Sequence, residues 1–393
     1  LSGTKLDVLI GADSLITRRS GVGRMTLEIV RAARRAAAIG KISLLMHGRV
    51  HPAEMADSVG EPDGTEGDVT GINWKARLID LPGMGAVRQA RQTLITHRIN
   101  RLAHDRLVYY EPNMIARPVA IPTVVTINDL SWHHQPSWHP AERLAWIDRD
   151  LHNTLNRARG ITALSQFTKD AAVAGLGVAA DRVTVVKLAP AEAFRPCTAD
   201  EAAPVLARFG LQDRSYVLSI STIEPRKNFD RLFAAHQALP PALRRRAPLV
   251  IAGGKGWGAG INADATAAAM RRGELRMLGH VADSDLVTLC ARAGVFAYVS
   301  LYEGFGLPVI EAMAAGCAVV ASNTTAIPEV AGDAALLVNP LDEAAIAAGL
   351  RAVLEDAALA ERLRRAGLAQ AALFSWDRTV AGLLACWNAA LDQ

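Results

Sequence analysis

Cysteine is scarce in this 393-residue chain: Cys197, Cys290, Cys317 and Cys386 stand far apart, with no C-x-x-C pair. That density supports no disulfide framework, so reduced thiols in a cytosolic protein are expected. Long hydrophobic runs are missing as well. The longest, such as Cys317 to Ala321 or Pro122 to Ile127, fall well short of the roughly 20 apolar residues that a membrane-crossing helix needs. Lys5 and Asp7 interrupt the one early apolar stretch, so no secretory signal is expected. Neither sign of charge dominates, since 43 Lys and Arg face 39 Asp and Glu. The dense basic stripe of a dedicated nucleic-acid binder is therefore absent.

What is present is an apolar chain, with 50% hydrophobic and 21% charged residues. That composition excludes intrinsic disorder. The length suits two domains of roughly 150 to 200 residues each. Short apolar runs at Leu6–Ile10, Ile42–Met46, Val108–Tyr110, Thr123–Ile127, Gly160–Leu164 and Arg182–Val186 read as strands. Helical patterns over Met25–Ala38, Ala141–Arg157 and Thr168–Ala174 alternate with them. The polar, Gly- and Asp-rich stretch from His51 to Gly71 reads as a surface loop. A second array starts at Tyr216–Ile220 and runs through Pro248–Ala252, Leu275–Leu278, Val295–Val299, Ala318–Ala321 and Ala335–Val338. Two successive βα arrays predict two doubly wound α/β domains facing a cleft. Their boundary falls between Glu192 and Glu201, which gives domains of 1–195 and 196–375.

Three segments carry chemistry. Val295–Val299 runs into Glu303-Gly-Phe-Gly306 and then Leu307-Pro308, a helix start, with Glu311 one turn inside. Such glycines let backbone approach a ligand closely, and the N–H groups of a helix start suit a phosphate. Glu303 and Glu311 can point to one ligand from different heights, and carboxylates accept well from vicinal hydroxyls. A surface Glu and a first-turn Glu drawn by the helix dipole would give the same letters. The second segment, Ser221-Thr-Ile-Glu-Pro-Arg-Lys-Asn228, places Arg226 and Lys227 where a helix opens. Cations are unfavourable at that end of a helix, so a diphosphate partner is the better explanation. The third, Ser20-Gly-Val-Gly-Arg-Met-Thr26, offers Gly21, Val22 and Gly23 after the first strand but lacks the third glycine of a dinucleotide fingerprint. Gly253-Gly-Lys-Gly-Trp-Gly258 reads as a turn, with Lys255 offered as a phosphate contact.

The first two segments resemble the family 4 retaining glycosyltransferases of GT-B fold, from Gly11 to Trp387. Glu303 and Glu311 match the glutamates of their E-x7-E motif, and Thr324-Thr-Ala-Ile-Pro-Glu-Val-Ala-Gly-Asp333 also fits. The resemblance implies that Glu303, Phe305, Gly306 and Leu307 hold the donor sugar and Glu311 the ribose. It assigns the donor diphosphate to Arg226 and Lys227, with Gly21, Val22 and Gly23 beside it, and the base to the backbone near Val281. The C-terminal helix, 376–393, is implied to cross back onto the first domain. The resemblance implies no catalytic metal and no cofactor beyond the donor substrate.

One departure matters. The family usually reads His-Asp-Leu where this chain has Asn128-Asp-Leu130, and an amide cannot take up a proton at neutral pH. Asn128 either positions the sugar or disables turnover. Tyr109-Tyr-Glu-Pro-Asn113 and the run Asp129–Arg143 resemble the α-mannosyltransferases of acetan- and xanthan-type exopolysaccharide assembly. That likeness implies GDP-mannose as donor and a cellobiosyl unit on a polyprenyl diphosphate as acceptor. A UDP-sugar enzyme and a nucleotide-sugar-binding form disabled at Asn128 are the alternatives. His133, His134 and His139 lack a metal-site pattern, whereas Trp132 and Trp138 suit either sugar stacking or core packing. Val87–Leu102 reads as a helix with Val87, Leu94, Ile95, Ile99 and Leu102 facing the core and Arg88, Arg91, Arg98 and Arg101 at its margins. Such a helix lies either on the core or on the inner face of the membrane.

Overall fold

The computed structural model describes residues 5–15, 21–58, 85–258 and 261–393, with backbone alone over 85–91. The first sheet comprises β1 (Leu6–Gly11), β2 (Ile39–Met46), β3 (Arg49–Pro52), β4 (Leu107–Glu111), β5 (Thr123–Ile127), β6 (Gly160–Ala163) and β7 (Val183–Val185). Its order is β3-β2-β1-β4-β5-β6-β7. Every pair is parallel except β2 with β3. The second sheet holds β8 (Val217–Ile220), β9 (Leu249–Ala252), β10 (Leu275–Gly279), β11 (Val295–Tyr298), β12 (Val319–Ser322) and β13 (Leu336–Val338). It is wholly parallel, in the order β10-β9-β8-β11-β12-β13. These are the two doubly wound α/β sheets that the alternation of apolar runs predicts.

Burial explains the strands' composition. All residues of β5 and β11 are buried, as parallel strands covered on both faces must be. In the first sheet Val8, Ile10 and Tyr110 pack with the helices Gly21–Arg35 and Trp376–Leu391. Leu9, Tyr109 and Val125 point the other way, onto Ile147 and Leu151 of the helix Ala141–Arg157. The helix Trp376–Leu391 lies against β4, β5 and β6 although the chain reaches it from the second sheet. Its Trp387 is fully buried with its ring 5.3 Å from that of Tyr110. Hydrogen bonds from Trp376 Nε1 to the Pro190 carbonyl and from Thr379 Oγ1 to the Lys187 carbonyl fix its entry.

Two expectations need correction. Part of the expected loop His51–Gly71 is regular structure: His51 and Pro52 belong to the antiparallel edge strand β3, and a short helix covers Met55–Ser58. A two-residue turn makes the hairpin, with φ of 49° at His47 and 76° at Gly48. The rest of that stretch, 59–71, lies outside the described residues. The second correction concerns the helix Gly85–Asn100. Ile99 is buried, but Leu94 is 61% and Leu102 40% exposed, so the apolar face is narrower than its spacing implied. Val87, Arg88 and Arg91 fall where side chains are not described.

The winding fixes where a ligand can sit. Strand order reverses between β1 and β4 in one sheet and between β8 and β11 in the other. In open α/β sheets the crevice beyond the carboxyl ends at such a reversal is the binding position. Gly11 and Glu111 end the strands at the first reversal; the loops after Ile220 and Tyr298 leave from the second.

Candidate active site

At the second reversal Glu303 is buried among donors. Its Oε1 accepts from Lys227 Nζ at 2.6 Å, Ser300 Oγ at 2.7 Å and the Tyr298 hydroxyl at 2.9 Å. Arg226 Nη1 donates to Oε2 at 3.0 Å and to the Tyr302 carbonyl, also at 3.0 Å. Arg226 Nη2 reaches Glu224 at 2.8 Å. Burial alone would raise the Glu303 pKa, but Lys227 and Arg226 outweigh it and hold the carboxyl at about 2. Burial also opposes the charge on Arg226, yet Glu303, Asp129 and Glu224 keep it firmly protonated. Lys227 is pulled below its ordinary value by burial and by the charge of Arg226, with Glu303 acting to retain its proton. The three residues form one locked ionic cluster. Asn228, at φ 61°, anchors the loop by donating to the carbonyls of Val299 and Pro340.

The helix Leu307–Ala314 starts at Gly306, which adopts φ 97°, and no side chain caps it. Phe305 is buried with its ring 6.0 Å from Phe374, so only backbone is left to a ligand at that position. Among the described residues Glu311 shares no ion pair with the Glu303 cluster. It is buried, and its nearest cation is Arg24 of the other domain, with Nη1 3.5 Å from Oε2. Burial pushes the Glu311 pKa up to about 7; Arg24 resists the rise and Asp283 adds to it. Its Oε1 is buried without a hydrogen-bond partner among the described residues. That atom is suited to accept from a hydroxyl. Arg24 shares the helix Gly21–Arg35 with Gly21, Val22 and Gly23, so this helix start meets Glu311 across the cleft.

The first domain presses on the same loop. A Cβ on Gly304 would lie 1.8 Å from the Asn128 carbonyl oxygen, so only glycine permits this approach. Ser165 Oγ and Thr168 Oγ1 donate to the Gly304 carbonyl at 2.7 and 3.0 Å. Asn128 donates through Nδ2 to the Pro112 carbonyl at 3.0 Å, while its Oδ1 is buried and unpartnered among the described residues. Next to it, Asp129 stays ionised despite burial because Arg226 and Ser131 favour the charge.

Asn128, Arg226, Lys227, Glu303 and Gly304–Leu307 thus converge, and Glu311 joins Gly21–Gly23 through Arg24. Val281 is buried in the hydrophobic core beyond β10, and Asp283 two residues later acts electrostatically on Glu311. Lys255 is exposed on a turn that bridges to Ile223. Trp132 is 6% exposed and belongs to the core, which removes it from sugar stacking. Trp138 instead lines an interdomain cavity of about 680 Å³ with His134, Phe167 and Tyr302. The three histidines diverge: His133 meets Trp132, His134 sits 5.1 Å from the Tyr302 ring, and His139 Nε2 is 3.0 Å from Ser131 Oγ. Sequence reasoning missed Arg24, Asp129, Tyr298 and Ser300 as parts of the site. The Ser300 spacing, three residues before Glu303, was the one available signal.

The family model described as glycosyl transferases group 1 matches residues 207–370. The chain is 35% identical over 360 residues to the O-antigen chain mannosyltransferase B of Escherichia coli, covering 91% of this chain and 93% of that protein. It is 35% identical over 233 residues to the serotype-specific mannosyltransferase WbdA of Escherichia coli, 57% of this chain and 28% of that one. Among solved structures, Anabaena HepE in complex with UDP and glucose superposes with a TM-score of 0.68 at 17% identity, covering 97% of this chain and 98% of that one. WaaG, a glycosyltransferase involved in lipopolysaccharide biosynthesis, gives 0.64 at 15% identity, covering 98% and 99%. These structures establish the shared GT-B fold.

Proposed function

The chain belongs to the group 1 glycosyltransferases, and from that premise we propose that it moves mannose from GDP-mannose to a lipid-linked glycan with retention. The observation that carries this reading is the locked Glu303–Lys227–Arg226 cluster at the second sheet's reversal, in a chain related over 91% of its length to a mannosyltransferase. Lys227 and Arg226 stabilise charge developing on the departing diphosphate, and Glu303 keeps both cations aimed and protonated beforehand. Glu311 takes the ribose hydroxyls. The uncapped backbone N–H groups at Gly306 and Leu307 face the donor sugar. The acceptor hydroxyl attacks the anomeric carbon on the face that the diphosphate leaves, and its proton passes to the leaving phosphate oxygen. That route requires no basic side chain at position 128. Asn128 then positions the sugar through its unpartnered Oδ1.

The glycan acceptor is either cellobiosyl, as the sequence resemblance implies, or an O-antigen-type chain, which the E. coli relative favours. No helix among the described residues is long and apolar enough to cross a membrane. Leu94, Leu102, Arg98 and Arg101, all exposed, give the protein a peripheral contact with the anionic inner leaflet. Vesicle co-sedimentation unaffected by reversing both arginines would remove that contact.

The decisive assay offers GDP-mannose and, separately, UDP-glucose, with cellobiosyl-diphosphate-lipid and a mannose-terminated O-antigen oligosaccharide-diphosphate-lipid as acceptors. Wild type and Asn128→His run side by side. Mannosyl transfer by the wild type is expected. Transfer by Asn128→His alone would make this chain a disabled form, and turnover of UDP-glucose alone would replace the donor.

A further inference from the structure

The first sheet has its own strand reversal, and a carboxylate stands in it as Glu303 stands in the second. Glu111 is the last residue of β4, and Gly11 is the last residue of β1 beside it. A Cβ on Gly11 would lie 2.3 Å from Glu111 Oε2, so the carboxylate lies directly over Gly11, in the crevice between the two strand ends. Glu111 points to the same face as Tyr109, as alternation along a strand requires, and that residue's hydroxyl donates to Oε2 at 2.7 Å. The Asn113 N–H donates to Oε1 at 3.2 Å. Among the described residues no cation comes within ion-pair distance of it. Arg117 instead approaches Asp13, at 3.7 Å.

This is an uneconomical place for a structural acid. Burial raises its pKa to about 7, with Asp13 working the same way, while the Tyr109 hydroxyl, the Asn113 N–H and Arg117 pull it down. A carboxyl held deep in a crevice without a counter-ion is characteristic of groups kept for a ligand. Glu111 nevertheless keeps part of its surface accessible, and each oxygen has accepting capacity beyond its single internal bond. It is linked to the reacting side of the cleft. Asn113 lies two residues on, its Oδ1 is 3.5 Å from Asn128 Nδ2, and the Asn128 carbonyl packs closely against Gly304.

We propose that Glu111 receives hydroxyl groups of the acceptor glycan's terminal sugar and, over Gly11, sets which hydroxyl faces the donor. The proposal rests on the glycosyl-transfer reading above and assigns its acceptor-recognition residue. A vicinal diol spans the carboxylate while the crevice floor supplies the flat surface of Gly11, which any side chain would fill.

The test compares Glu111→Gln, which preserves volume, with Gly11→Ala, which leaves the acid but crowds it. Initial rates are measured against whichever lipid-diphosphate glycan the wild type uses, together with slow hydrolysis of the nucleotide sugar. Loss of the acid in Glu111→Gln, and its crowding in Gly11→Ala, should each raise the acceptor KM by about tenfold or more. Donor KM and donor hydrolysis should stay within about twofold, a split that a merely structural role would not produce. Saturation-transfer NMR of the same glycan with GDP present reads binding independently of turnover, and its signal should be lost in both variants. An unchanged acceptor KM and NMR signal in Glu111→Gln would overturn the assignment. A wild type silent toward every donor would instead sink the transfer reading itself.

Discussion

Arg24 and Glu311 meet across the cleft, the guanidinium of a first-domain helix 3.5 Å from the carboxylate of a second-domain helix. Arg24 lies in the first turn of its helix and Glu311 one turn inside its own, so both sit close to where a nucleotide diphosphate and its ribose would need a partner. The pair cannot persist unchanged when ribose hydroxyls take Glu311. On the proposed donor reading, Arg24 would then be released to meet the diphosphate.

Arg24→Ala should therefore weaken GDP binding. A charge-assisted hydrogen bond is worth about 1.5–3 kcal/mol, which predicts an increase in Kd of about tenfold or more. Titration calorimetry measures it. An unchanged Kd would leave Arg24 with a latching role only.

The raised pKa of Glu311 makes a stability prediction of definite sign. Below the ordinary carboxylate value of 4.5 the residue is neutral whether folded or unfolded. Between 4.5 and about 7 the folded chain keeps a proton that the unfolded chain releases, so stability falls as pH rises. Glu311→Gln escapes that loss. Its stability relative to wild type should rise between pH 5 and pH 8 by at least about 1.4 kcal/mol, the equivalent of one pKa unit. Urea melts at both pH values check this, and a pH-independent difference would contradict it.

Glu303 runs the opposite way. Its depressed pKa means that its contribution is complete above the unfolded value of 4.5 and is lost as pH falls toward about 2. Glu303→Gln leaves Lys227 and Arg226 buried beside an amide, and breaking a buried pair in this way costs about 3–5 kcal/mol. At pH 7 the variant should melt well below wild type, and the gap should close under acid. Transfer should be lost at every pH. A variant with wild-type stability at pH 7 would show that Glu303 does not organise the cations.

Much of this was legible in the letters. Strand positions followed from short apolar runs because parallel strands are buried on both faces, and β5 is an unbroken apolar-rich run for that reason. Arg226 and Lys227 announced themselves as cations at a helix start, where the dipole disfavours them, and Glu303 through its place in the E-x7-E resemblance. Arg24 and Glu111 did not. The pairing of Arg24 with Glu311 joins residues far apart in sequence and exists only once the two domains face each other. Glu111 stood in the sequence only as part of the Tyr109–Asn113 resemblance, with no role of its own, and its position over Gly11 depends on β1 and β4 becoming neighbours. The edge hairpin was hidden because His47-Gly48 is not one of the usual turn pairs. Leu94 and Leu102 misled because helical spacing identifies a face but not how wide a strip the neighbouring sheet covers.

Gly304 gives the sharpest test of the cleft. Its carbonyl accepts from Ser165 and Thr168, which prevents the loop from retreating, and its Cα lies against the Asn128 carbonyl. A methyl group placed 1.8 Å from that oxygen must push the domains apart or twist the loop that carries Glu303. Either response misplaces the donor sugar relative to the acceptor, and a displacement of about 1 Å can cost about 100-fold in rate. Gly304→Ala should accordingly lose no more GDP affinity than Arg24→Ala does, because Arg226, Lys227 and Glu311 all lie outside the clash. Its kcat should fall by about two orders of magnitude. Equal losses of binding and turnover would mean that the loop itself had collapsed, and undiminished turnover would mean that the domains do not approach this closely during the reaction.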